Sequence, residues 1–259
     1  MSEPGSRVCI FCGHLLSGHK SQEHIFPQWL QKRLGLEKRP IYPTLYYESG
    51  EVNRVRQTNF NAYVSGLVCR SCNNGWLSDL ETRTKPLLES LVDGTFTGVI
   101  DPQSCKLLAR WISKTALVLH STSQQGRFIP VEHYLALYKG EPIPEGIVVS
   151  IAPIQGEDEF YWIQNQNWLG RTQDTSLEKL KAEFEQTYRI VFRIGNLAAR
   201  THYWKLSNWR LVDYFQSSLR YIWPIGSNGI TWPPPERNIK VLQELDESIM
   251  IMGKRAGNN

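Results

Sequence analysis

The chain has 259 residues, 41% hydrophobic and 21% charged, which is enough to bury a core as one large domain or two modest ones. No apolar run approaches the roughly 18 residues that cross a membrane, and the opening Met-Ser-Glu-Pro-Gly-Ser-Arg lacks the apolar centre of a signal peptide, so the expectation is a cytoplasmic protein with no membrane partner. A net charge of +4 permits a polyanionic partner without demanding one.

Cys9-Ile-Phe-Cys12-Gly13 opens the patterned part of the chain, and Leu-Val-Cys69-Arg-Ser-Cys72-Asn73-Asn74-Gly-Trp closes it. Each Cys-x-x-Cys lets two thiolates reach one ion, and two such pairs surround a Zn2+ tetrahedrally, closed to substrate. The expectation is a structural Zn2+ held by Cys9, Cys12, Cys69 and Cys72, in a reducing compartment rather than in a disulfide framework. The 56 residues between Cys12 and Cys69 require a folded insertion whose ends return to the metal. His14 and His19 are alternative ligands, disfavoured because four cysteines already fill a tetrahedral site. Cys105 reads as a small buried hydrophobe.

Within the insertion, Glu23-His24-Ile25-Phe26-Pro27 predicts a short extended segment, because the residue before a proline is steered away from helix. Pro27 then starts a short helix ending near Gly35. Residues 36–58 predict a hairpin-like excursion bearing Arg54 and Arg56, and 59–68 a strand feeding the second knuckle. A helix runs from Asn73 to about Val92. Asp101-Pro102 combines an N-cap with proline at the first helical position. Leu108, Trp111, Ile112, Thr115, Ala116 and Leu119 then recur at helical spacing. Lys106, Arg110 and Lys114 form a basic row, read first as a solvated face.

Beyond Ser121 the pattern predicts a short helix over 130–138, strands at 147–151 and 160–163 about an acidic turn at 156–159, and a hairpin of 188–194 with 198–204 about Gly195-Asn196. Residues 209–223 fit helix or strand equally, and 239–252 suggest a terminal helix. The fold class expected is α+β, with a zinc-stabilised region over 1–95 and a helical, then strand-rich, region over 96–259.

The order Cys-x-x-Cys, Glu-His-Ile-x-Pro and Leu-Val-Cys-x-x-Cys-Asn resembles the HNH endonucleases of the ββα-metal type with a four-cysteine zinc core, over roughly residues 9–80. The resemblance implies a nuclease that hydrolyses phosphodiester bonds in nucleic acid, with DNA favoured, in restriction, phage defence or mobile elements. It implies His24 as the general base, and Glu23 and Asn73 as ligands of one catalytic divalent ion, Mg2+ or Mn2+. Arg54, Arg56 and Arg70 are then candidate phosphate contacts or, equally, solvated charge.

Three positions depart from the family pattern. Glu23 replaces the commoner Asp, Asn73 replaces a His, and Val64 stands where the middle Asn usually lies. Asn59 or Asn61 is a candidate substitute, or a turn and strand-edge residue. The alternative function is a zinc-stabilised nucleic-acid-binding module without catalysis.

Overall fold

A computed structural model describes residues 7–16, 21–46, 51–123, 129–156, 160–165, 169–171, 187–205, 209–236 and 239–253. The first part of the chain forms β1 (Glu23–His24), α1 (Gln28–Arg33), β2 (Pro40–Ile41), β3 (Thr44–Tyr46), β4 (Val52–Val55), β5 (Thr58–Asn59), β6 (Val64–Ser65) and α2 (Arg70–Cys72). The middle contributes α3 (Ser78–Val92), β7 (Gly98–Ile100), α4 (Pro102–Thr122), α5 (Val131–Tyr138), β8 (Ile147–Pro153), β9 (Phe160–Asn165) and β10 (Leu169–Arg171). The last part is β11 (Tyr188–Ile194), β12 (Leu197–Tyr203), β13 (Trp209–Asp213), β14 (Arg220–Trp223), β15 (Ile230–Trp232), α6 (Leu242–Glu247) and β16 (Ile249–Gly253).

Helix α4 begins as its sequence dictates. The Asp101 carboxylate accepts from the backbone N–H of Gln103 at 2.9 Å and of Ser104 at 3.0 Å, satisfying donors that a helix start leaves orphaned. Leu108, Trp111, Ile112, Thr115, Ala116 and Leu119 are buried on its expected face, and so are Lys114, Leu117, Val118 and His120 around the rest. A helix enclosed on every side, as α4 is over residues 111–120, is a central element there rather than a surface one. One flank meets the main sheet, and the other meets α3, α5 and β6.

That sheet is antiparallel, in the order β14-β8-β12-β11-β9, so the class is α+β. Alternation along β11 and β12 gives it two different faces. Tyr188, Ile190, Phe192, Ile194, Leu197 and Ala199 join the core around α4, which extends without a break from Cys9 to Trp232. Phe26, Phe60, Phe160 and Phe192 meet edge to face or tilted there, with Phe60 and Phe160 ring centres 4.3 Å apart. The regions before and after residue 95 therefore share one core.

The opposite face carries Arg189 and Arg200, both buried, beneath α6. Arg189 holds Asp246 through two bonds of 2.5 and 3.0 Å. Arg200 pairs with Asp213 and donates to Ser248 Oγ at 2.6 Å. Such charges survive burial because Asp246 matches the Arg189 fork with both oxygens, and Arg200 is met by Asp213, Ser248 and the Leu245 carbonyl.

Several expectations are met closely. The helix at 130–138, the strands at 147–151 and 160–163 and the hairpin at Gly195-Asn196 all form. Others change. The strand expected over 59–68 is broken into β5, a helical turn at Phe60–Ala62 and β6. The terminal helix is only α6, followed by β16 between β10 and β13, because Ile249-Met-Ile-Met252 pairs with strands more readily than it continues a helix. Residues 209–223 resolve into β13 and β14. The acidic turn at 156–159 lies, except for Gly156, outside the described residues. No described helix is long and apolar enough to cross a membrane.

Two outcomes follow from this packing. Gly195 has φ +55°, and a Cβ there would stand 2.6 Å from the Val92 carbonyl oxygen. Gly195→Ala is expected to cost about 1–3 kcal/mol, read as a lower urea midpoint. His133 is buried, with Nδ1 3.0 Å from the Tyr188 hydroxyl, and burial holds its pKa down at about 4. The native imidazole is therefore neutral while the unfolded one takes a proton near pH 6.5. Its contribution is complete above about pH 6.5 and is lost as pH falls towards 4, by about 3 kcal/mol at pH 4. His202, also held well down by burial, acts in the same direction. Chemical denaturation at several pH values should show this slope, and a shallower one for His133→Gln.

Candidate functional site

The first knuckle is a tight turn closed by Gly13 N–H to the Cys9 carbonyl at 3.0 Å and Cys9 N–H to the His14 carbonyl at 2.8 Å. Gly13 takes φ +74°, where a side chain would be strained. Ile10 N–H donates to the Leu67 carbonyl at 2.9 Å, which binds this knuckle to the segment leading into the second. There Cys69 caps α2, its sulfur accepting from Cys72 N–H at 3.4 Å, while Cys69 N–H donates to Cys9 Sγ at 3.4 Å.

The four sulfurs lie within 4.8 Å of one another. Cys9 and Cys72 are 3.9 Å apart, and Cys12 and Cys69 3.6 Å. A tetrahedral ion with Zn–S bonds near 2.3 Å requires sulfur separations of roughly 3.8 Å, so this donor set fits zinc. The electrostatics agree. The sulfur–sulfur contact with Cys72, helped by backbone amides, lowers Cys9 to about 4, while Cys72 is raised by the same contact and Cys12 by burial. Thiolates this close repel one another, and a cation among them offsets that repulsion. Phe11, fully buried, packs on Trp76 at 5.0 Å and Tyr134 at 5.8 Å, which shields the cluster. His14 is exposed and contributes its backbone carbonyl; His19 lies outside the described residues. Cys105 is a buried free thiol.

Beside the cluster, β1 and β6 pair antiparallel, with Glu23 opposite Ser65 and His24 opposite Val64. Ser65 Oγ lies 2.9 Å from Ser121 Oγ, which fixes the pair to α4. Successive strand residues point oppositely, and here Glu23 is buried while His24 is half-buried. Glu23 Oε1 lies 3.0 Å from Lys114 Nζ, and the same ammonium lies 2.8 Å from Glu81 Oε1. Burial raises the Glu23 pKa against the pull of Lys114. Lys114 is pulled down by burial, but its two carboxylates more than offset this and hold it charged.

His24 Nε2 is 2.9 Å from Gln28 Nε2 in the first turn of α1, and its Nδ1 is buried without a hydrogen-bond partner. Burial lowers its pKa, with partial opposition from Glu81, so the ring is mainly neutral at pH 7. Asn73 donates from its side-chain amide to Ser21 Oγ, two residues before Glu23. The turn at Asn73–Leu77 is widened between α2 and α3, with Gly75 at φ −99°, ψ −114°; such irregular turns recur at functional sites.

The candidate residues thus lie on three connected pieces: Glu23 and His24 on β1, and Asn73 in the turn tethered to its approach. Arg54 is exposed on β4, Arg56 just beyond it, and Arg70 on α2 beside the cysteines. Asn59 and Asn61 are exposed at and after the end of β5. The basic row is corrected in part: Lys106 is exposed as a solvated face expects, but the other two are not. Arg110 donates to the carbonyls of Leu137 at 2.6 Å and Glu141 at 2.5 Å, around the end of α5, and Lys114 is fully buried. Sequence reasoning missed Lys114 and Glu81 as neighbours of β1. The available signal was a lysine three residues after Trp111 and two before Ala116, inside the apolar spacing.

Comparison with family models, curated proteins and solved structures finds no match to this chain. The cysteine geometry is directly testable. Cys12→Ser or Cys69→Ser is expected to abolish stoichiometric zinc and to make the region around residues 9–80 protease-sensitive, since metal binding and folding are coupled. Metal analysis and limited proteolysis read both; full zinc in both variants would exclude the assignment.

Proposed function

We propose that the chain is a metal-dependent endonuclease that hydrolyses phosphodiester bonds, in DNA by preference, on a scaffold stapled by Zn2+ at Cys9, Cys12, Cys69 and Cys72. The observation that carries this reading is the β1–β6 pair, bearing Glu23 and His24, tethered through Ser21 to Asn73 at the start of the helical segment that follows the second knuckle. A strand pair followed in sequence by a helical segment, together with a donor set that fits zinc, supports the reading that the sequence resemblance implies.

In this reading His24 takes a proton from the attacking water. A ring kept neutral by burial is available for that at pH 7. Gln28 contacts the ring at Nε2 at 2.9 Å, and the attacking water takes its place there, since Nδ1 is buried. A divalent ion at Glu23 and Asn73, Mg2+ or Mn2+, would neutralise charge on the phosphate and the leaving 3′-oxygen. The products are a 5′-phosphate and a 3′-hydroxyl. Arg54, Arg56 and Arg70 supply phosphate contacts at the surface.

A plasmid-nicking assay with Mg2+ and with Mn2+ tests this. Wild type is expected to nick, and His24→Ala to lose about 10²–10⁴-fold in rate. Because the His24 pKa lies below its ordinary value, the rate should rise with pH through a value under 6.5 and be level by pH 7. A second reading, a zinc-stabilised nucleic-acid-binding module without catalysis, draws on Val64 opposite His24 and on the engagement of Glu23 by Lys114. Binding to duplex DNA with no cleavage under either ion would select it.

A further inference from the structure

A groove of about 410 Å³ lies where α3, α4 and the end of α5 meet, and none of Glu23, His24 and Asn73 lines it. Sites for small organic molecules span about 300–1,000 Å³, so the groove is of that size. Its floor is apolar, with Leu80 from α3, Leu107 from α4 and Leu137 from α5. Two aromatic rings extend this surface. Trp76 is fixed by its edge contact with Phe11 at 5.0 Å, and Tyr138 is 39% exposed.

Three cations and one carboxylate share the same lining: Arg83, Lys106, Arg110 and Asp79. The balance is two positive charges. Arg83 and Lys106 enter no hydrogen bond or ion pair among the described residues. Asp79 lies four positions before Arg83, a spacing at which opposite charges on a helix commonly meet, as Lys85 and Glu89 do at 3.8 Å. Asp79 and Arg83 form no such pair. Arg110 is held in place, because the carbonyls of Leu137 and Glu141 accept from its two terminal nitrogens. The Glu141 carboxylate lies instead beside Lys139 at 3.7 Å. Burial, and then the charge of Arg83, pull the Arg110 pKa down. Two guanidiniums near one another over an apolar floor repel, and an anion between them relieves that repulsion.

We propose that this groove binds a nucleoside monophosphate, its phosphate on Arg83, Lys106 and Arg110 and its base against Tyr138 and Trp76. A phosphate monoester carries about −1.5 to −2 charges at pH 7, which matches the surplus of two, whereas a carboxylate supplies one. Guanidinium forks suit phosphate oxygens. A planar base suits the aromatic and leucine surface, since every base has a face that stacks. Asp79, which repels a second anion, accepts from a sugar hydroxyl or a base amino group. The proposal stands apart from the nuclease reading and uses none of its residues.

Isothermal titration calorimetry on the full chain tests it with AMP, GMP, CMP and UMP. The four parent nucleosides, inorganic phosphate and a short 5′-phosphorylated single strand are the comparisons. At least one nucleotide is expected to bind one to one, about 10-fold or more tightly than its nucleoside and than inorganic phosphate. Arg83→Ala and Lys106→Ala, at exposed positions on separate helices, should each weaken that nucleotide about 10–100-fold. Tyr138→Ala should weaken it about 5–100-fold, and thermal unfolding should stay as in wild type. If one charge variant fails to fold, the other decides. Absence of binding by all four nucleotides at millimolar concentration overturns the proposal. So does nucleotide binding that survives both charge substitutions, or inorganic phosphate that binds as tightly as the nucleotide. A phosphorylated strand that binds more tightly than every mononucleotide, and loses this in Arg83→Ala, assigns the groove to nucleic acid and overturns the free nucleotide.

Discussion

The second half of α4 has no face to water, and most of the fold is arranged to make that possible. Its apolar residues require a covering layer on each side. The five-stranded sheet supplies one, and α3, α5 and the β1–β6 pair supply the rest. The one charged residue enclosed in this stretch, Lys114, is held by Glu23 and Glu81, drawn from the surrounding elements. Enclosure of the helix thereby selects which carboxylates lie next to β1.

The β1–β6 ladder is too short to hold itself, since each strand has two residues and isolated two-stranded pairs are marginal even when longer. Its position is imposed from outside. Ser65 is held to Ser121 of α4, Glu23 to Lys114, and the knuckles meet through Ile10 and Leu67. Four thiols at a spacing that fits zinc bring two sequence-distant ends together, and an ion bound there would cross-link them. The chemistry proposed for His24 thus depends on a short ladder held from outside by α4 and by the segment that carries the paired cysteines.

What the sequence made legible were features with local causes. Asp101-Pro102, the helical spacing through α4, the Gly195-Asn196 turn and the paired cysteines each act over a few residues, and each reappears where expected. The misplaced features depend on distant partners. Ile249–Gly253 becomes a strand because β10 and β13 flank it. Lys114 looked like one step of a basic row because the carboxylates that bury it lie 91 and 33 positions away. Glu81 stood out in the sequence only by sharing a helical face with Asn74, seven positions earlier, whereas its partner Lys114 lies 33 positions away. The connection of Asn73 to Ser21 spans 52 positions and is likewise invisible to periodicity.

The sheet face beneath α6 carries a consequence for the order in which this chain can assemble. Arg189 and Arg200 enter the sheet on β11 and β12, but Asp246 and Ser248, which complete their hydrogen bonds, come more than forty positions later. During synthesis the hairpin emerges first, with one face already able to dock on α4 and the other bearing guanidinium groups that must stay hydrated. The two sides of the same sheet therefore close at different times: the apolar side as soon as β11 and β12 pair, the charged side only after the residues that follow Val241 have emerged.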